Sequence, residues 1–157
     1  PALWLADGSG FLLPEGEFTI DSPGEVLSIS ADGAMVAGIW NLEGFYWTET
    51  EGVVRLGTVP GGQTRPNAIA AGGRLIFGQN QSGFFDPALA FVWTRNNGMR
   101  SLTDIALAHG ATLPLGTVLD NVLAASADGT VVLGTALDPF FRFYTFVLRM
   151  PISAYGL

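Results

Sequence analysis

The chain carries one histidine, His109, in the run Ala106-Leu107-Ala108-His109-Gly110. As a general base it would need a nucleophile within hydrogen-bond reach and a carboxylate to orient its ring. Asp104 reads only as a neighbour on the same short helix, which leaves His109 as a surface or helix-end residue. Catalytic zinc normally takes two or three histidines, so no metal site is expected. Glycoside hydrolysis asks instead for two carboxyl groups about 5–10 Å apart in a cleft. Glu15 with Glu17, and Glu49 with Glu51, invite that reading, but they alternate with small or polar residues in loops, where solvation accounts for them. No residue is assigned as catalytic, and an exported, glycosidase-like hydrolase using loop carboxylates stands as the alternative function.

The glycine-bearing segments are equally sparing of chemistry. Asp7-Gly8, Asp32-Gly33 and Asp128-Gly129 recur at turn positions without the acid-rich spacing of a calcium loop. Gly61-Gly62-Gln63-Thr64 lacks the lysine of a phosphate-binding loop, and no cofactor is expected. Asn80-Gln81-Ser82 has the form of a glycosylation sequon and marks an exposed loop.

Aromatic residues are the more suggestive group. The connectors between repeats hold Trp40, then Phe84 and Phe85, then Phe140 and Phe141. If these connectors emerge on one side of the fold, the five rings form a surface able to stack on sugars or grip a peptide. The competing account is that they seal neighbouring repeats, with Asp86-Pro87 and Asp138-Pro139 as rigid turns.

These residues hang on a repeated framework. Ala2-Leu3-Trp4-Leu5, Phe45-Tyr46-Trp47-Thr48 and Phe91-Val92-Trp93-Thr94 are alike, roughly 45 residues apart, and each leads into a glycine-bearing turn and a returning apolar run. A second hairpin follows each time, turning at Ala31-Asp32-Gly33, Ala71-Gly72-Gly73 and Ala127-Asp128-Gly129. Four short strands per unit is the content of a propeller blade. The expected fold is all-β: three four-stranded antiparallel units of a β-propeller with an incomplete ring, spanning about 1–42, 43–87 and 88–142 of a single domain. The third unit is the longest. Its extra length lies between Ser101 and Pro114, where Leu102, Ile105 and Ala106 at helical spacing predict one short helix ended by Gly110. Phe143 to Arg149 takes the place of a tryptophan strand and is read as the first strand of a fourth unit, left to pair with an upstream repeat fragment or with another copy of the chain.

Composition narrows the rest. Fourteen carboxylates against seven arginines, with no lysine, give a net charge of −7, a field that repels phosphate backbones and argues against nucleic acid as a partner. No apolar run approaches the length of a membrane span. Twenty-one glycines and nine prolines spread between short apolar runs are the turn chemistry of an all-β chain. There is no cysteine. The chain opens at Pro1, without a methionine or a signal peptide, and is expected to be a processed or truncated product.

Ala90-Phe91-Val92-Trp93-Thr94, Asn97-Gly98-Met99 and Ala125-Ser126-Ala127-Asp128-Gly129-Thr130-Val131-Val132-Leu133-Gly134 together resemble the extracellular repeat family named for its His-Ala-Phe motif. Phe45-Tyr46-Trp47-Thr48, Glu51-Gly52-Val53, Leu56-Gly57-Thr58-Val59-Pro60-Gly61-Gly62 and Asn67-Ala68-Ile69-Ala70 repeat the pattern. The histidine that names the family is absent, and the first unit lacks the Leu-Gly-Thr stretch. The resemblance implies an exported bacterial protein, secreted or displayed at the cell surface as in autotransporter passengers. It also implies a noncatalytic binding or structural module with a glycan or a protein as ligand.

Overall fold

The computed structural model describes residues 7–10, 24–57, 62–83 and 86–157 in full, and the backbone of 2–4 and 11–12. A two-stranded hairpin joins β1 (Ala2–Trp4) to β2 (Gly10–Leu12). The first sheet holds β3 (Gly24–Ile29), β4 (Met35–Trp40), β5 (Glu43–Thr48) and β6 (Gly52–Gly57), hydrogen-bonded in chain order. The second repeats this with β7 (Gln63–Ala70), β8 (Leu75–Gln81), β9 (Leu89–Thr94) and β10 (Gly98–Ser101). The third has β11 (Val118–Ala125), β12 (Val131–Leu137) and β13 (Phe143–Arg149). All pairings are antiparallel, and no sheet closes on itself. The protein is therefore all-β, with antiparallel sheets of four, four and three strands.

The sheets cut the chain at different points from the units counted off the tryptophans. Trp47 and Trp93 lie in the third strand of their sheets, because the hairpin that opens each sheet pairs with the tryptophan strand after it: Val36 opposite Trp47 and Ile76 opposite Trp93. A sequence repeat has a period but no phase, and only the ladder sets where a sheet begins. Hence β13 is not the start of a fourth unit. It is the third strand of the third sheet, paired with β12 from Val131 opposite Arg149 to Leu137 opposite Phe143. Among the described residues that sheet has no fourth strand.

Local chemistry explains the turns. In the first, Ser30 Oγ donates to Asp32 Oδ1 at 2.6 Å and accepts from Met35 N at 2.9 Å, while Gly33 N donates to Ser30 O at φ +73°. Ser126, Asp128, Gly129 and Val131 rebuild the same network in the third sheet, with Ser126 Oγ to Asp128 Oδ1 at 2.6 Å and Val131 N to Ser126 Oγ at 3.0 Å. The helix α1 runs over Leu102–Ala108, within the segment where it was expected. Ser101 caps it by accepting from Asp104 N at 3.2 Å, and Gly110 beyond its end takes φ +86°.

A bulge recurs at the same place in all three sheets. The registers Val26–Gly38, Pro66–Gly78 and Val122–Gly134 are each followed by a slip of one residue, which leaves Leu27, Asn67 and Leu123 without a cross-strand partner. The carbonyl of the residue before the bulge closes down on the glycine. A Cβ at Gly38, Gly78 or Gly134 would fall inside the carbonyl oxygen of Glu25, Arg65 or Asn121 respectively. The bulged Asn67 reaches the next sheet, donating to Asn121 Oδ1 at 2.8 Å and to Val122 O at 3.1 Å.

The second sheet is packed on both faces. Ile76, Phe91 and Trp93 of the second sheet pack on Met35, Ala37 and Tyr46 of the first, with the Tyr46 and Trp93 ring centroids 5.3 Å apart. The opposite face of the second sheet, with Leu75, Phe77 and Val92, packs on Leu119, Val122 and Val132 of the third, and α1 joins this larger core. After β13 the chain folds back through a 3-10 turn (Ile152–Tyr155) that inserts Tyr155 against Phe77, ring centroids 5.4 Å apart.

Candidate functional site

The aromatic residues singled out from the sequence divide sharply. Trp40 is only 3% exposed and packs edge-on against Phe45 at 6.1 Å, so it belongs to the core. Phe84 and Phe85 lie outside the described residues. Phe140 and Phe141 are 75% and 71% exposed. These segments are also not connectors between units: residues 41–42 and 138–142 each join the second and third strands within a sheet. Their lengths account for the difference. Trp40 is still in the ladder, paired with Glu43 across a two-residue turn, whereas Phe140 and Phe141 ride on a five-residue loop that lifts them off the sheet.

That loop is held from below by a buried carboxylate. Asp138 Oδ1 accepts from Phe140 N at 2.8 Å and Arg142 N at 3.0 Å, and Oδ2 accepts from Arg142 Nε at 2.7 Å and the Tyr144 hydroxyl at 3.3 Å. Backbone bonds from Phe141 N to Asp138 O and from Asp138 N to Arg142 O close the turn. Burial pushes the Asp138 carboxyl up, but the bonds from the Arg142 and Phe140 backbone and the guanidinium outweigh it and hold the group below the usual aspartate range. The Arg142 guanidinium lies over the Phe140 ring, 5.3 Å from its centroid. Phe141 takes φ +60°, a left-handed conformation that costs a bulky side chain energy.

The two rings border two clefts. Phe140 lines one of about 430 Å³ with Leu113, Leu115, Ala136, Tyr144 and Phe146. Leu115 is almost fully exposed at its mouth. Phe141 borders another of about 490 Å³, with Asp86, Pro87, Leu89 and Leu137. The first is the more apolar in character, and its charged groups Asp138 and Arg142 are bonded to each other. It suits an apolar side chain better than a solute that needs many hydrogen bonds. Sequence reasoning found the two phenylalanines but missed Leu115, Arg142 and Tyr144. The Asp-Pro that opens the loop was the available signal.

Of the groups weighed for catalysis, Glu51 and His109 are otherwise engaged. Glu51 pairs with Arg95 through both carboxylate oxygens, Oε2 to Nη2 at 2.8 Å, and the bond from Arg95 holds its carboxyl below the ordinary range. Such a group stays ionised and is no proton donor at neutral pH. Glu15 and Glu17 lie outside the described residues. His109 caps α1 at its C-terminal end, with Nδ1 2.9 Å from Ile105 O. Asp120, which sequence reading passed over, sits at a second slip in β11. It is buried, accepts from Thr135 Oγ1 at 2.8 Å, and burial pushes its carboxyl up. Among the described residues no group of three or more His, Asp or Glu is placed to hold a metal ion. No described helix is long and apolar enough to cross a membrane.

Searches against protein-family models and against curated proteins found no match to this chain.

Proposed function

We propose that the chain is a noncatalytic binding and structural module in which the three sheets are blades of a β-propeller and the loop of residues 138–144 is the contact surface. Its ligand is a protein that inserts an apolar side chain into the cleft beside Phe140. The observation that carries this reading is the pair Phe140–Phe141, two exposed rings on a loop that spends backbone strain at Phe141 and buries a carboxylate at Asp138 to hold them there. A loop selected only to connect two strands needs none of this. The blade reading is supported by the stacking order, with the second sheet packed between the first and the third and the opening strands β3, β7 and β11 brought together. Membership of the His-Ala-Phe repeat family, and with it export to the surface of a bacterium, belongs to the same proposal.

The test is a binding screen of the intact chain on peptide and glycan arrays, beside a chromogenic glycoside and ester assay. Protein or peptide binders should emerge, and the double substitution of Phe140 and Phe141 by Ala should weaken them at least tenfold, with the thermal transition unchanged. Binders confined to glycans, binders indifferent to that double variant, or hydrolysis lost on one carboxylate-to-amide change would each sink the reading. Solution scattering tests the blade arrangement separately, since blades follow an arc about an axis and a flat sandwich does not.

A further inference from the structure

One cross-strand pair recurs on the same face of each sheet, next to the bulge glycine: Ala37 opposite Tyr46, Phe77 opposite Val92, Leu133 opposite Val147. In the first sheet this pair is buried beneath Ile76, Phe91 and Trp93 of the second. In the second it is buried beneath Val132, Phe146 and Leu148 of the third. In the third sheet it is bare, with Leu133 45% and Val147 66% exposed. Phe143 and Leu123 extend the apolar patch on either side. The covering residues are equivalent too: Ile76 opposite Trp93 and Val132 opposite Leu148 are the same register pair in successive sheets.

We infer that the outer face of the third sheet is a docking face for one further antiparallel sheet of this same repeat type, seated through its own β-branched–aromatic pair as the second sheet seats on the first. The interface already built twice says what covers the third face. Each time, a strand-two Val or Ile and a strand-three Trp or Leu descend on the pair beside the bulge glycine. Leu123, Leu133, Phe143 and Val147 are the exposed apolar groups of this face, and water is a poor partner for them. A second copy of this chain is a worse fit, because the equivalent covering pair of its first sheet, Val36 and Trp47, is already buried with Trp40 and Phe45. The inference rests on the stacked-blade reading and is independent of the exposed rings of Phe140 and Phe141.

The chain has no cysteine, so a Val147→Cys variant carries a single thiol on the face in question. Its maleimide-labelling rate is measured in the full chain, and again in the full chain with a further copy of residues 63–101 joined to its C terminus by a flexible linker of about 20 residues, long enough to span roughly 25 Å. Labelling should be fast in the unextended chain at every protein concentration and at least tenfold slower in the extended one. A Trp93→Glu change confined to the added copy should restore the fast rate. Leu133→Cys should behave in the same way. Equal rates with and without the added copy, whether that copy folds apart or not at all, overturn the inference. Slowing with concentration in the unextended chain also overturns it, in favour of self-association. Failure of the blade reading itself would appear differently, as a scattering profile of a flat sandwich with labelling still slowed.

Discussion

Tyr155 shows how much one buried atom can set. Its ring is fully buried against Phe77, yet its hydroxyl finds no hydrogen-bond partner among the described residues. Desolvation pushes its pKa from the ordinary 10 up to about 12. An unpaired buried hydroxyl costs stability, so Tyr155→Phe should raise the unfolding free energy by about 1 kcal/mol in urea titration at pH 7. The linkage has a definite sign. The unfolded chain gives up the phenolic proton near pH 10 while the folded one keeps it to about 12, so stability is full below 10 and falls through that window, by at most about 1.4 kcal/mol per pH unit. Tyr155→Phe should remove most of that alkaline decline; an unchanged slope would place the proton elsewhere. None of this is legible in the sequence, where Tyr155 stands near the end of the chain, past the last repeat. By contrast the turns at Ser30 and Ser126 are legible, because Ser, Asp and Gly three residues apart carry their whole hydrogen-bond network locally.

At the level of the strand, the bulge and its glycine form the unit of repetition. Gly38, Gly78 and Gly134 each lie under a carbonyl that leaves no room for a methyl group, and the obstructing atom is backbone. Substituting any one by Ala should cost about 3 kcal/mol or more, since the two strands must part to admit it. Gly57 is the control: a Cβ there meets nothing among the described residues, and its φ of +85° makes Ala costly by only about 1–2 kcal/mol. Thermal melts of the four variants check the ranking, and equal losses would refute the role given to the carbonyl. Sequence alone does not mark these glycines as partners of a bulge, because the carbonyl that closes on each belongs to a strand more than ten residues earlier. The same limit hid the fate of Trp40 and Phe140. Trp40 ends β4 while Phe140 lies three residues beyond the end of β12, and the length of the turn decides that one is core and the other surface.

For the molecule as a whole, the ladder changes what the C-terminal segment is for. Residues 143–157 supply Phe146, Leu148, Met150, Ala154 and Tyr155 to the core between the second and third sheets. Deleting them would remove more burial than a domain of this size holds in net stability, so the truncated chain should be unfolded by circular dichroism and not merely altered in its assembly. A truncated chain that stays folded and soluble would show that the first two sheets suffice. The stack also has a direction. Its covering pairs and its receiving pairs are different residues on opposite faces, so each contact is of the head-to-tail kind, and no twofold axis between like faces reproduces it. Contacts of that kind have two ends to their series: they come round and close, or they go on. On the proposed blade reading the choice lies in the rotation between one sheet and the next, and a substitution that changed that angle would change how many units close a ring without touching any surface that binds a partner.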